Sequence, residues 1–254
     1  MKHKKTAIKL STFILIGLMS LVVISVFASN LVLKNVYDNR DKSDIYWNYV
    51  KISEQPYKYL KIDGGNITNI VFEPGKRSSV RALNNWWNYN NKDSALRVYV
   101  RNDTLHLYFK NTYNNLGEKY WLQGQVIVRL FSPQLLAVDG NNTNFELQKL
   151  KQPNISIDLK GKSRLEVETY DHNFDTVRVS QRDSTQVIFE MSPDIKGSPI
   201  MHFKHVYANM KDLTLFDVGR SYIDDIKLNL SDSSAVILSG RSLRRLSNNS
   251  LITK

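Results

Sequence analysis

Residues 155–167 read Ile155-Ser-Ile157-Asp-Leu159-Lys-Gly161-Lys-Ser163-Arg-Leu165-Glu-Val167. Apolar side chains alternate with polar ones on both sides of the Gly161 to Ser163 interruption, and every intervening residue is polar. A strict period of two puts the apolar set on one face of an extended chain, which a helix of 3.6 residues per turn cannot do. Two further stretches, Val177 to Phe189 and Ile226 to Leu238, lie over the first without a gap. They share apolar residues at offsets 0, 2, 10 and 12, Gly or Asp at offset 6, and Ser or Thr at offset 8. Leu213, Leu215, Asp217, Gly219, Ser221 and Ile223 follow the same template as a fourth, weaker copy. Each copy reads as strand, corner, strand. A unit of this kind cannot bury its own apolar face and needs a neighbour above and below. The repeat therefore predicts an all-β fold, a stacked β-solenoid of right-handed type. An antiparallel sandwich is the competing fold, and the small residue at a fixed offset favours the stack.

The flanking sequence continues the theme. Tyr57 to Ile62 and Ile67 to Phe72 are strand-like runs separated by Asp63-Gly64-Gly65-Asn66, with Pro74 and Gly75 closing the second. Leu96, Val98 and Val100 alternate up to Asn102-Asp103, and Leu105, Leu107 and Phe109 alternate after it, which predicts a hairpin. Val126, Val128 and Leu130 run to Pro133, and Leu136 and Val138 lead into Gly140. No stretch after Ala28 carries sustained helical periodicity. Pro193, Gly197 and Pro199 mark a loop interrupting the repeat; such insertions lie on the outside of a stack and are candidate contact sites.

At the N-terminus, Lys2, Lys4, Lys5 and Lys9 precede Leu10 to Ala28, a run of 19 residues without a charge. That length suffices to cross a hydrocarbon core of about 30 Å as a helix. It exceeds the roughly 7 to 15 residues of a usual signal-peptide core, so an uncleaved signal anchor is expected. Cleavage after Val26 and Ala28 is the alternative. Basic residues stay on the cytoplasmic side. The expected organisation is then a cytoplasmic segment 1–9, a transmembrane anchor 10–28, a polar spacer 30–55, a solenoid domain 57–246 and a frayed tail 247–254. This makes a single-pass protein of the cytoplasmic membrane with its bulk on the periplasmic side.

Formal net charge is +11, of which four charges sit on those N-terminal lysines, leaving +7 on the rest. Such an excess suits anionic surfaces such as phospholipid headgroups or acidic glycans. Nucleic acid is disfavoured by export and by the scatter of the charges; only Arg241, Arg244 and Arg245 cluster. With no cysteine in the chain, disulfides and thiolate metal sites are excluded.

Candidate chemistry is sparse. His202 and His205 are the closest histidine pair, but residues three apart on a strand face opposite sides, so no metal site is expected. Asp171-His172 precedes Asn173 in an evident turn, with no nucleophile motif. A carbohydrate-active enzyme would need converging carboxylates on one face. Here Asp158, Glu166 and Glu168 are interleaved with Lys160, Lys162 and Arg164, as in cross-strand ion pairs on a wet face. No catalytic, cofactor-binding or metal residues are expected. The least usual segment is Asn84-Asn-Trp86-Trp87-Asn-Tyr89-Asn-Asn91. Aromatic rings flanked by asparagines suit sugar stacking or a protein contact, so Trp86, Trp87 and Tyr89 are the candidate contact residues. The competing role is a cap over an open end of the stack.

Several phrases carry a resemblance. Leu60-Lys-Ile62-Asp-Gly64 with Asn66-Ile-Thr-Asn-Ile70, Thr104-Leu-His-Leu107, Val126-Ile-Val128 with Phe131-Ser-Pro133-Gln-Leu135, Val138-Asp-Gly140 and the repeated corners resemble the head-GIN domain family of autotransporter-adhesin name. The resemblance covers roughly residues 59–238. It implies a β-solenoid of the bacterial envelope with no assigned enzymatic activity. The family usually has serine and glycine together at the corners, whereas this chain keeps glycine only at Gly161 and Gly219, with Asp183 and Asp232 elsewhere. The expectation is therefore a membrane-anchored, non-enzymatic binding or scaffold module with an envelope protein or glycan as partner. A carbohydrate-active β-helix enzyme is the alternative, and an envelope stress sensor a third possibility.

Overall fold

The computed structural model describes residues 10–39, 43–90, 95–110, 125–169, 173–190, 201–240 and 242–243. The chain divides into two units, 1–47 and 48–254. In the first, helix α1 (Leu10–Asp38) holds 29 residues, about 44 Å at the rise of an α-helix. It runs ten residues past Ala28, because only Ser29 and Asn30 interrupt an apolar sequence that continues to Leu33. All its large apolar side chains from Phe13 to Val36 are exposed. A helix that is apolar on every side and has no protein covering it matches a membrane span in length and composition.

Among the described residues the second unit contains 17 strands in two mixed sheets, neither of them closed. Its first strand, β1 (Tyr49–Ser53), falls inside the stretch read as spacer and pairs antiparallel with β4 (Ser79–Leu83). Strands β2 (Tyr59–Asp63) and β3 (Asn69–Pro74) lie in different sheets, with Gly64 and Gly65 at positive φ turning the chain between them. A Cβ on Gly64 would come 2.8 Å from the Phe109 carbonyl oxygen. Strands β5 (Leu96–Arg101) and β6 (Thr104–Phe109) form the expected hairpin, with Asn102 and Asp103 at φ 50° and 57°, the left-handed pair that a two-residue turn of this kind requires. A short helix, α2 (Asn84–Asn90), follows β4. Seven residues are too few to show helical periodicity in the sequence.

From β8 (Ala137–Asn141) through β9 (Asn144–Gln148), β10 (Asn154–Lys160), β11 (Lys162–Glu168), β12 (Asn173–Gln181), β13 (Ser184–Glu190), β14 (His202–Met210), β15 (Leu215–Asp217), β16 (Tyr222–Leu230) and β17 (Ala235–Ile237), successive strands alternate between the two sheets. All their ladders are parallel, which excludes the antiparallel sandwich here. Ile155 pairs with Val177 and Leu165 with Val187, so the first two copies of the repeat stack in the register of their gapless alignment.

The copy placed at Leu213 is a misregister. Val206 pairs with both Val177 and Ile226, and Phe216 with Val187 and Val236. The intermediate copy therefore runs Val206, Ala208, Met210, Asp212, Thr214, Phe216 and Val218. Leu213 is 69% exposed at the corner and Leu215 faces outward; two surface leucines imitated the inward pattern. The loop at Pro193 to Pro199 that precedes this copy lies outside the described residues.

Backbone geometry explains the offset-6 residue at the corners from Asn142 to Asp212, whereas Asp232 in the last copy does not take positive φ. Asn142, Gly161, Asp183 and Asp212 all have φ between 50° and 67°, a region open to glycine and tolerated by Asn and Asp. The Asn142 side-chain oxygen accepts from Lys162 N at 2.9 Å, Asp183 Oδ2 from Gly161 N at 2.7 Å, and Asp212 Oδ2 from Asp183 N at 3.1 Å. Asp183 and Asp212 are thus acceptors for a backbone donor of the adjacent corner rather than degraded glycines. Two residues on, Ser163, Thr185 and Thr214 are buried; Ser163 Oγ donates to Lys160 O and accepts from Thr143 N, so the buried hydroxyl replaces water for the turning backbone.

One apolar core runs between the sheets. Phe203 stacks on Phe174 at 5.3 Å and meets Phe189 edge-on at 5.1 Å, while Phe216 continues the series against Phe189.

Candidate functional site

Helix α2 carries the three aromatic residues singled out above and packs beside β4 and β1. Asn84 anchors it: its N–H donates to Asn48 O at 2.8 Å, and its side-chain oxygen accepts from Asn88 Nδ2 at 2.8 Å, one turn on. Trp86 and Trp87 are both half-buried and packed against the core. On a helix, neighbouring side chains diverge by only about 100°, so both rings reach the core edge, which a strand would forbid. Tyr89 is 82% exposed. The three residues thus separate into two core-contacting indoles and one phenol in solvent.

The histidine pair sits differently from the strand expectation. Phe203 and Val206 both point inward while Lys204 and His205 between them are exposed. Alternation slips by one residue, and His202 and His205 end on the same outer face. Asp175-Thr176 on β12 and Asp224-Asp225 on β16 occupy the matching positions. The histidines do not converge: His202 Nε2 meets Asp224 Oδ2 at 2.7 Å and His205 Nδ1 meets Asp225 Oδ2 at 3.4 Å. Between them Lys204 Nζ lies 2.5 Å from Asp175 Oδ1, and that hydrogen bond, with the Asp175 and Asp224 charges, raises the lysine pKa. No group of three potential metal ligands occurs among the described residues. Asp171 and His172 lie outside them.

Several outer-face carboxylates are compensated. Glu166 pairs with Arg164, Asp158 with Arg182 at 3.7 Å, and Asp139 with Lys61 at 3.2 Å. Glu73 takes both Arg129, at 2.6 Å, and Lys149, at 3.3 Å. A glycosidase needs one carboxyl held protonated and a second free on the other side of the sugar; none of these groups is so arranged.

The strand connections on one side of β2 enclose a feature with no sequence motif, a cavity of about 430 Å³. Its walls come from the β1–β2 link, the β3–β4 turn, the tip of the β5–β6 hairpin and the corner after β7 (Val126–Ser132). The hairpin tip is fixed to the link by two bonds, Lys58 N and Tyr59 N donating to Asp103 O at 2.9 and 3.1 Å. Below, Ser78 Oγ donates to Ser132 Oγ at 3.3 Å and Ser132 Oγ to Tyr57 O at 2.7 Å. Tyr57 is 2% exposed, and its hydroxyl has no hydrogen-bond partner among the described residues; burial pushes its pKa up. Lys58, Lys76 and Arg77 line the cavity. Its residues come from four separated segments, so only the turn markers Gly75 and Pro133 hinted that loops gather there.

No family model and no curated protein matches the chain. Among solved structures the chain is similar to a "putative adhesin" from Bacteroides fragilis, with 13% identity and a TM-score of 0.46 over 74% of this chain and 91% of that one. A "putative adhesin" from Parabacteroides distasonis gives 13% identity and a TM-score of 0.46 over 74% and 79% of the two chains. A "putative lipid binding protein" from the same species gives 12% identity and a TM-score of 0.36 over 74% and 92%.

Proposed function

We propose that the chain is a membrane-anchored, non-enzymatic binding module of the bacterial envelope. In this reading α1 spans the cytoplasmic membrane, Lys2 to Lys9 lie on its cytoplasmic side, and the β domain is displayed on the other. The alternation of parallel strands from β8 to β17, with left-handed corners at Asn142, Gly161, Asp183 and Asp212, supports a β-solenoid, and the phrases quoted above support kinship with the head-GIN domain family. The segment following α1 then serves as a short link into β1.

The observation that carries the binding role is the division of labour on α2. Trp86 and Trp87 spend their surface on the core, whereas Tyr89 leaves a large aromatic side chain in solvent. An amphipathic ring held on a rigid element is a common binding anchor. Paired carboxylates on the outer face supply structure and no evident acid–base chemistry. The test is a glycan array, with the full chain in detergent, comparing Tyr89→Ala with the Trp86→Ala plus Trp87→Ala double variant. Signal lost in Tyr89→Ala at an unchanged melting temperature supports the contact surface. Full signal in that variant, with instability in the tryptophan pair, leaves α2 as a cap alone. For the anchor, mass spectrometry of the mature chain decides: a new N-terminus near Ser29 removes it.

A further inference from the structure

The cavity beneath the β5–β6 tip combines features that the aromatic helix lacks. Its volume of about 430 Å³ lies in the lower part of the range of small-molecule sites, about 300–1,000 Å³. Three cationic side chains, Lys58, Lys76 and Arg77, line it, and none has an ion-pair partner among the described residues. Of the two carboxylates in the wall, Glu54 is occupied by Lys51 at 3.1 Å. Asp103 is held in place through its own backbone oxygen, which leaves its carboxylate as an acceptor. The wall is therefore net cationic, with an excess that can be offset by one anionic group of a ligand.

The remaining surface narrows the class. Only Pro56, Tyr57 and Pro133 among the eleven lining residues are apolar, and Tyr57 is buried; the two exposed proline rings suit a sugar ring rather than a long acyl chain. Asp103 and Gln134 can accept or donate hydrogen bonds to hydroxyls. Paired cations with a guanidinium suit a carboxylate or a phosphate. We propose that this cavity binds one anionic sugar residue, a uronate or a sugar phosphate, with its charged group at Lys58, Lys76 and Arg77 and its ring against Pro56 and Pro133. The four connections are tied together before any ligand arrives, so little ordering is required on binding.

The site is independent of α2, and its test separates the two. Titration calorimetry on the full chain in phosphatidylcholine nanodiscs would use methyl glucuronoside, glucose 6-phosphate, methyl glucoside and inorganic phosphate as probes. At least one of the two acidic sugars is expected to bind at least about tenfold more tightly than the neutral glucoside. Binding should weaken as salt is raised. Lys76→Gln plus Arg77→Gln should cost about tenfold or more without moving the unfolding midpoint, and Tyr89→Ala should change nothing. Equal affinity for the neutral glucoside, no heat from either acid, or an unaffected double glutamine variant would overturn the proposal. So would inorganic phosphate binding as tightly as the better acidic sugar, which would make the cavity a bare anion site. If the double variant unfolds, Gln134→Ala and Asp103→Asn test the hydroxyl contacts instead, and unaltered affinity in both would overturn it as well.

Discussion

The Asp183 carboxylate accepts a hydrogen bond from the Gly161 backbone at 2.7 Å, so the corner of one repeat unit is closed by a side chain of the next. The same aspartate holds φ at 67° and carries two separable contributions. Asp183→Ala should lose both and cost about 1–3 kcal/mol. Asp183→Asn should lose least, and Asp183→Gly should fall between, since it keeps the backbone freedom and loses the acceptor. Urea unfolding midpoints check the order. An alanine variant as stable as the parent would mean that the corner column adds nothing.

Gly161 is the complementary case. A Cβ there would collide with the Asn142 carboxamide, and its φ of 66° disfavours any L side chain. Gly161→Ala should destabilise by about 1–3 kcal/mol. Adding Asn142→Gly should recover part of that loss, although the Lys162 N–H then loses its acceptor; a double-mutant cycle by chemical denaturation measures the recovery.

Phe203 touches two other phenylalanine rings and is fully buried. Phe203→Ala should cost about 3–5 kcal/mol, and Phe203→Leu clearly less. The alanine variant should also bind more of a hydrophobic dye, which fluorescence reports directly.

Tyr57 offers a substitution that should not harm the fold. Its hydroxyl is buried without a partner among the described residues, so Tyr57→Phe removes a desolvated group and keeps the ring. Stability should stay level or rise by about 1 kcal/mol. A large loss in thermal unfolding would show that the hydroxyl is bonded in solution.

His106 stacks on Tyr99 at 4.6 Å. Partial desolvation, then the Lys61 and Arg101 charges, lower its pKa below the ordinary histidine value. A lowered folded-state pKa means that the unfolded chain takes up the proton first. The contribution of His106 is therefore complete above about pH 6.5, the unfolded value, and is lost as pH falls from there through the folded value. NMR titration of the ring should show the lowered midpoint, and His106→Gln should flatten this part of the stability profile.

How much of this the sequence discloses depends on how local the cause is. Ile155 to Val167 and Val177 to Phe189 announce their pairing because their inward residues are large, apolar and two apart. The unit at Val206 hides because Lys204 and His205 break the alternation ahead of it, Ala208 is small, and the exposed Leu213 imitates an inward residue. Asn84 to Asn90 form a helix that is too short to leave a periodic trace. The cavity is less legible still: Tyr57, Arg77, Asp103 and Ser132 meet only because the corners of different strands stack, and no spacing along the chain records that.

The corner bonds also run between units. Asp212 serves Asp183 and Asp183 serves Gly161, while Asn142 serves Lys162 of the unit after it, so these corners are defined by their neighbours and not by their distance from an end. A structure assembled in this way has an order but no fixed count. Whole units of about 20 residues, the offset between Val206 and Ile226, could be gained or lost by duplication and deletion in the gene without any new kind of contact. The length of the parallel stack is in that sense heritable, adjustable apart from the strands that precede it.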